Sequence, residues 1–155
     1  MRAWRIAKAA RAADLSGKGA AIEGGRWNDA EVPAVYLGLS PAICCLETFV
    51  HQTRRPLIPM KISLFELPDA PSLYLEPEPG SLPDGWASLP ADRPSMAFGT
   101  HWLEQCGQLG LILPSAVLRL ERNIMLNPRH PAMADVRLVE ILDFAYDERL
   151  FIARA

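Results

Sequence analysis

Half of the prolines in this chain fall between Pro68 and Pro94, and that crowding bars a helix or an interior strand from most of the stretch. The regular elements must therefore come from the two flanks. Between them runs a long ordered or semi-ordered loop around Trp86, of the kind that serves as a lid, a binding segment or a wrapping surface connection.

On the N-terminal flank, Trp4 to Ile6 reads as a short strand, followed by an Ala-rich helical turn and a Gly-marked loop from Asp14 to Ala20. Val32 to Leu39 alternates as a strand, with Val32, Ala34 and Tyr36 on one face and Val35, Leu37 and Leu39 on the other. Ser40-Pro41 then starts a helix, because serine caps well and proline suits the first helical position; the helix is expected from Pro41 to Gln52. Leu57 to Phe65 is a second alternating strand. On the C-terminal flank the expected elements are a short helix over Phe98 to Cys106 and strands over Leu109 to Leu113, Val117 to Leu120, Asn123 to Leu126 and Val136 to Ile141. Short strands of mixed connection with few helices imply an α+β fold, with mixed or antiparallel sheets around a central cleft.

A chain of 155 residues suits one domain spanning 1–155. Its formal net charge of -2 argues against a nucleic-acid phosphate binder. No apolar run approaches the ~20 residues that span a bilayer, and the N-terminus lacks the apolar core of a signal peptide, so a cytoplasmic protein is expected. Cys44 and Cys45 are adjacent and Cys106 is distant. That pattern is no disulfide framework, and with His51, His101 and His130 it makes no zinc spacing, so no metal is expected. Dinucleotide and Walker glycine patterns are missing, as is the nucleophile elbow of acyl-transfer enzymes.

Two features carry chemistry. Gly24-Gly25-Arg26-Trp27-Asn28 sets a five-donor guanidinium after two glycines; it reads either as a ligand loop or as a tight turn with a surface Arg and a packed Trp. In the helix after Pro41, Ile43, Leu46 and Val50 form an apolar stripe with Glu47 in its middle. An inward carboxylate needs a partner, whether a salt bridge, a loop hydrogen bond or a ligand at the floor of a cleft.

Taken in order, Gly24-Gly25-Arg26-Trp27-Asn28, Val35-Tyr36-Leu37 with Ser40-Pro41 and Glu47, Leu113-Pro114-Ser115-Ala116, Asn123, and Asn127-Pro128 with His130-Pro131 resemble the RES domain family. The likeness runs from Trp4-Arg5 to Asp147-Glu148-Arg149-Leu150. The family takes its name from an arginine, a glutamate and a serine, here Arg26, Glu47 and Ser115.

The resemblance implies a toxin of a bacterial toxin-antitoxin pair, with an ADP-ribosyltransferase-like fold and NAD as substrate. It implies catalytic roles for Glu47, Arg26, Tyr36 and Ser115, and an NAD site built from Arg26, Tyr36, Ser115, Asn123, Arg5 and Trp27. It also implies an antitoxin with a helix-turn-helix domain that blocks the site, and an ADP-ribose acceptor that is water, phosphate or a protein. The alternative is a binding module in which Arg26 and Glu47 form a structural pair.

Overall fold

The computed structural model describes residues 1–152, Pro79 by its backbone alone. One seven-stranded sheet organises them. Its strands are β1 (Arg2–Lys8), β2 (Val35–Gly38), β3 (Met60–Glu66), β4 (Tyr74–Leu75), β5 (Gly110–Pro114), β6 (Arg122–Leu126) and β7 (Arg137–Phe144), in the order β4-β5-β6-β2-β1-β3-β7. The helices are α1 (Lys18–Glu23), α2 (Pro41–Phe49) and α3 (Arg93–Gln105). Every pairing is antiparallel except β4 with β5, and α3 lies in the connection between those two parallel strands. The fold is α+β, as expected, with its strands gathered into one mixed sheet.

Each face of the sheet has its own core, and the alternation in β2 separates them. Val35 and Leu37 pack with Ala3, Phe65, Ile124 and Leu126 on one face. Ala34 and Tyr36 join Trp27, Trp102, Leu111, Leu113 and Met125 on the other. This is the division expected from period-two patterning, since successive side chains leave a strand in opposite directions.

Where the elements differ from the sequence expectation, pairing and capping explain it. β1 is longer than Trp4 to Ile6 because it pairs with β3 along its whole length, Arg2 opposite Glu66 through Lys8 opposite Met60. α1 begins inside the expected Asp14 to Ala20 loop, after Gly17 at φ 72°. α2 stops at Phe49, short of Gln52, so Val50 lies at the C-cap and is exposed. α3 starts at Arg93, well before Phe98, because the Asp92 side chain caps Arg93 N at 2.7 Å and Pro94 sits in the first turn, where a missing N–H costs nothing. Residues 117–120 form no strand. They are the turn joining β5 to β6, for a reason that lies in the site itself.

No helix among the described residues is long and apolar enough to cross a membrane.

Candidate active site

Glu47 owes its position to a close helix-sheet approach. Ser40 caps α2 by accepting from Ile43 N at 3.1 Å, which sets where the helix begins. Gly38, at the end of β2, lets the helix sit down on the sheet: a Cβ there would lie 2.9 Å from Cys44 N. The buried Cys44 Sγ accepts from Ile6 N on β1 at 3.1 Å, and burial pushes this thiol up to about 11, so it packs as a neutral group rather than a nucleophile. One turn further along, Glu47 reaches over the β5-β6 hairpin. Ser115 Oγ donates to Glu47 Oε1 at 2.7 Å and Asn123 Nδ2 donates to the same oxygen at 2.6 Å. Among the described residues Glu47 makes no ion pair.

Ser115 is fully buried and does more than hold Glu47. Its Oγ accepts from Val117 N and Leu118 N, each at 3.0 Å. Those two amides are thereby turned inward, away from any strand neighbour, which is why 117–120 cannot continue the sheet as the apolar residues suggested. Ser115 N donates to Glu121 O at 3.0 Å and closes the turn.

The second cluster is built on the Gly-Gly-Arg-Trp-Asn segment. Gly25 and Asn28 form an isolated bridge, and a Cβ on Gly25 would lie 2.8 Å from Asn28 Oδ1 and 3.0 Å from Tyr36 Oη, so glycine leaves room for that contact. The buried Asn28 amide donates to the carbonyls of Ala20, Asp29 and Val32 and accepts from Tyr36 Oη at 2.7 Å. Tyr36 Oη in turn accepts from Trp27 N at 3.1 Å, and burial raises the phenol well above its ordinary range, so it stays neutral. Arg26 Nη1 donates to the carbonyls of Trp86 and Ser88, both at 2.9 Å. Its Nε and Nη2 bond to nothing among the described residues and remain available as donors.

The two clusters share one face of the sheet. Tyr36 lies opposite Met125 and Gly38 lies opposite Asn123, so Tyr36 and Asn123 are diagonal neighbours, about 7–8 Å apart by sheet geometry. A cavity of about 470 Å³ adjoins the Arg26 side, lined by Leu82 to Ser88, Gly80 and Arg119. Most of that lining is the loop that Arg26 anchors through Trp86 and Ser88.

A family model for the RES domain matches residues 2–147. The chain belongs to the RES domain family. It is 39% identical over 153 residues to the Prs ADP-ribosylating toxin of Sphingobium sp., covering 95% of this chain and 94% of that one. It is 38% identical over 141 residues to Toxin Res of Yersinia enterocolitica, covering 90% and 91%, and 36% identical over 151 residues to Toxin Res of Pseudomonas putida, covering 96% and 98%. In fold it is similar to a chain of the M. tuberculosis MbcT-MbcA toxin-antitoxin complex, with a TM-score of 0.70 at 21% identity over 97% of this chain and 86% of that one.

In this RES domain the residues expected to act together separate into three groups. Glu47, Ser115 and Asn123 meet directly. Arg26 and Tyr36 meet through the Trp27-Asn28 backbone and amide, on the same sheet face. Arg26 and Glu47 do not pair with each other, which removes the structural-pair alternative. Trp27 keeps its place in the loop but its indole is buried, stacked on Trp86 at 5.8 Å and edge-on to Phe98 at 6.0 Å.

Arg5 departs furthest from its expected role. It pairs with Ser63 on β3, two residues from the Ala3-Phe65 pair, so it belongs to the face opposite Asn123. There its Nη2 donates to the carbonyls of Arg11 and Ala12, and its guanidinium lies 5.4 Å from the centre of the Phe65 ring. Burial lowers its pKa. These contacts tie the opening strand to the turn that follows it.

Two contributors escaped sequence reasoning. Asn28 was visible in the motif, yet nothing marked it as the hub of four hydrogen bonds. Trp86 supplies the carbonyl and the stacking surface that lock the Arg26 loop, and the only sequence signal was an aromatic residue alone in a proline-rich loop.

Proposed function

We propose that this RES domain is the toxin of a bacterial toxin-antitoxin pair, and that it uses NAD by breaking the bond between nicotinamide and ribose. The observation that carries this reading is the Glu47 carboxylate, held on one oxygen by two neutral donors and paired with no cation among the described residues, on the same sheet face as the free donors of Arg26. The relative named an ADP-ribosylating toxin, at 39% identity over nearly the full length of both chains, points the same way.

The chemistry asks for such an arrangement. When the bond from ribose C1′ to the nicotinamide nitrogen breaks, its electron pair leaves with nicotinamide and positive charge builds on the ribose, as in glycoside hydrolysis. A fixed carboxylate stabilises that charge best when nothing else neutralises it. The remaining Arg26 donors suit the pyrophosphate, since a guanidinium forms charge-assisted bonds with phosphate oxygens. The half-buried Tyr36, with its hydroxyl occupied by Asn28 and Trp27, offers a ring face for stacking. A nucleophile then takes the ADP-ribosyl group and loses its proton. We assign that acceptor to a protein, to water or to phosphate.

A cognate antitoxin with a helix-turn-helix domain covers the cleft in this reading, since an NAD-consuming enzyme left open in the cytoplasm harms its own cell. The solved chain with the similar fold is itself part of a complex of toxin with antitoxin. Incubating the purified protein with NAD, with and without phosphate and with cell extract, tests the activity. Free ADP-ribose, phosphorylated ADP-ribose or a labelled protein identifies the acceptor; intact NAD under all conditions, with a folded protein, ends the proposal.

A further inference from the structure

Resting on the NAD reading above, we infer that Ser115 and Asn123 are positioning residues that act through Glu47, fixing its Oε1 so that Oε2 alone is presented to the substrate. A serine hydroxyl has one proton to donate and two lone pairs to accept with. In Ser115 all three are used: the proton on Glu47 Oε1, and the lone pairs on Val117 N and Leu118 N. The side chain is also fully buried. It has neither the access nor the bonding capacity to hold a pyrophosphate or a ribose.

Asn123 completes the clamp from the next strand. Its Nδ2 bonds to the oxygen already held by Ser115, and it makes no other side-chain bond among the described residues. The register Leu113 opposite Asn123, with Ser115 N on Glu121 O, locks the two donors to one hairpin. Glu47 Oε2 accepts nothing from the described residues, and it is not a buried orphan, since the buried side-chain atoms without a partner are Arg5 Nε and Tyr146 Oη.

Two bonds to one oxygen fix the plane of the carboxylate. The free oxygen then needs no reorganisation as charge develops on the ribose. Neutral donors suit this task better than a lysine or an arginine, whose charge would cancel the attraction Glu47 exerts on the developing cation. The serine of the motif thus belongs to the reaction without touching the reactants.

The test is steady-state NAD turnover by Ser115→Ala, Ser115→Thr and Asn123→Ala, with thermal unfolding measured alongside. The expected result for both alanine variants is a fall in kcat on the order of ten- to hundred-fold with KM for NAD changed by less than about three-fold. Ser115→Thr, which keeps the hydroxyl, restores most of kcat. On a Glu47→Gln background, where turnover does not interfere, NAD binds equally well with and without Ser115→Ala. Because Ser115 also closes a turn, Asn123→Ala supplies the independent measurement if Ser115→Ala fails to fold. A rise in KM that accounts for the loss, or weaker NAD binding on the Glu47→Gln background, overturns the positioning assignment alone. No NAD turnover by the folded wild type overturns the NAD reading and the assignment with it.

Discussion

The Glu47 corner and the Arg26 corner of the site are built in opposite ways. Glu47 stands on a capped helix pressed onto the sheet at Gly38, and its two donors come from a single β-hairpin. Arg26 stands on a loop, and it anchors a second loop through the carbonyls of Trp86 and Ser88. The carboxylate is held by the sheet, whereas the guanidinium does the holding. A group that answers charge at a breaking bond gains from rigid elements, because small displacements there cost rate steeply. In the proposed reading Arg26 grips a flexible pyrophosphate, and it does so from a loop with donors to spare.

Glu47→Gln is the largest break in that comparison. It keeps the shape of the side chain but removes the charge, and we expect NAD turnover to fall by about 10³-fold, near 4 kcal/mol, with the unfolding temperature nearly unchanged. Turnover within a few-fold of wild type would remove Glu47 from the chemistry.

Gly99→Ala strikes the other corner. A Cβ on Gly99 would run into the Trp27 carbonyl oxygen, so α3 must move away from the Arg26-Asn28 loop. Overpacking of this kind costs about 1–3 kcal/mol. Denaturant unfolding measures the loss, and kinetics should show KM for NAD rising more than kcat falls, since the Glu47 clamp lies on the hairpin. An equal fall of kcat would mean the corners are not independent.

Alkaline pH loosens the Glu47 side instead. Burial pushes the Cys44 thiol up to about 11 in the folded chain from an ordinary 9.0, so the unfolded chain loses its proton first as pH rises. Stability from this group is complete below pH 9 and declines between 9 and 11, by up to about 2–3 kcal/mol. Comparing wild type with Cys44→Ala across that window isolates it, because the difference between them should shrink as pH rises. A constant difference would contradict the assignment.

The smallest effect is expected from Arg26→Lys. An ammonium keeps the charge but replaces a planar fork with a point donor, so it cannot serve both loop carbonyls and a pyrophosphate together. KM should rise about ten-fold with little change in kcat. If kcat falls instead, Arg26 acts on the transition state and the division between grip and chemistry dissolves.

Much of the frame was legible because its signals are local. Ser40-Pro41 marked the start of α2, and the alternation from Val32 to Leu39 assigned Tyr36 and Leu37 to opposite faces, as the two cores confirm. Glu47 stood out because a carboxylate within an apolar stripe demands a partner. Signals were absent where structure depends on distant neighbours. The two-residue β4 exists because β5 offers it a parallel edge. The turn at 117–120 looks like a strand until Ser115 claims its amides. Arg5 matched the expected pattern, yet only the register with β3 and β2 shows that it faces away from Asn123.

By itself, then, the sequence determined most of the elements, the family and the short list of polar residues, because propensity, capping and motif order act over a few neighbouring positions. Only the tertiary structure decided which of those residues meet. Glu47 and Ser115 are 68 positions apart, and Arg26 and Ser88 are 62 apart. Which donor faces which acceptor over such separations is set by strand register and by how closely a helix can approach a glycine, and neither is written in local pattern.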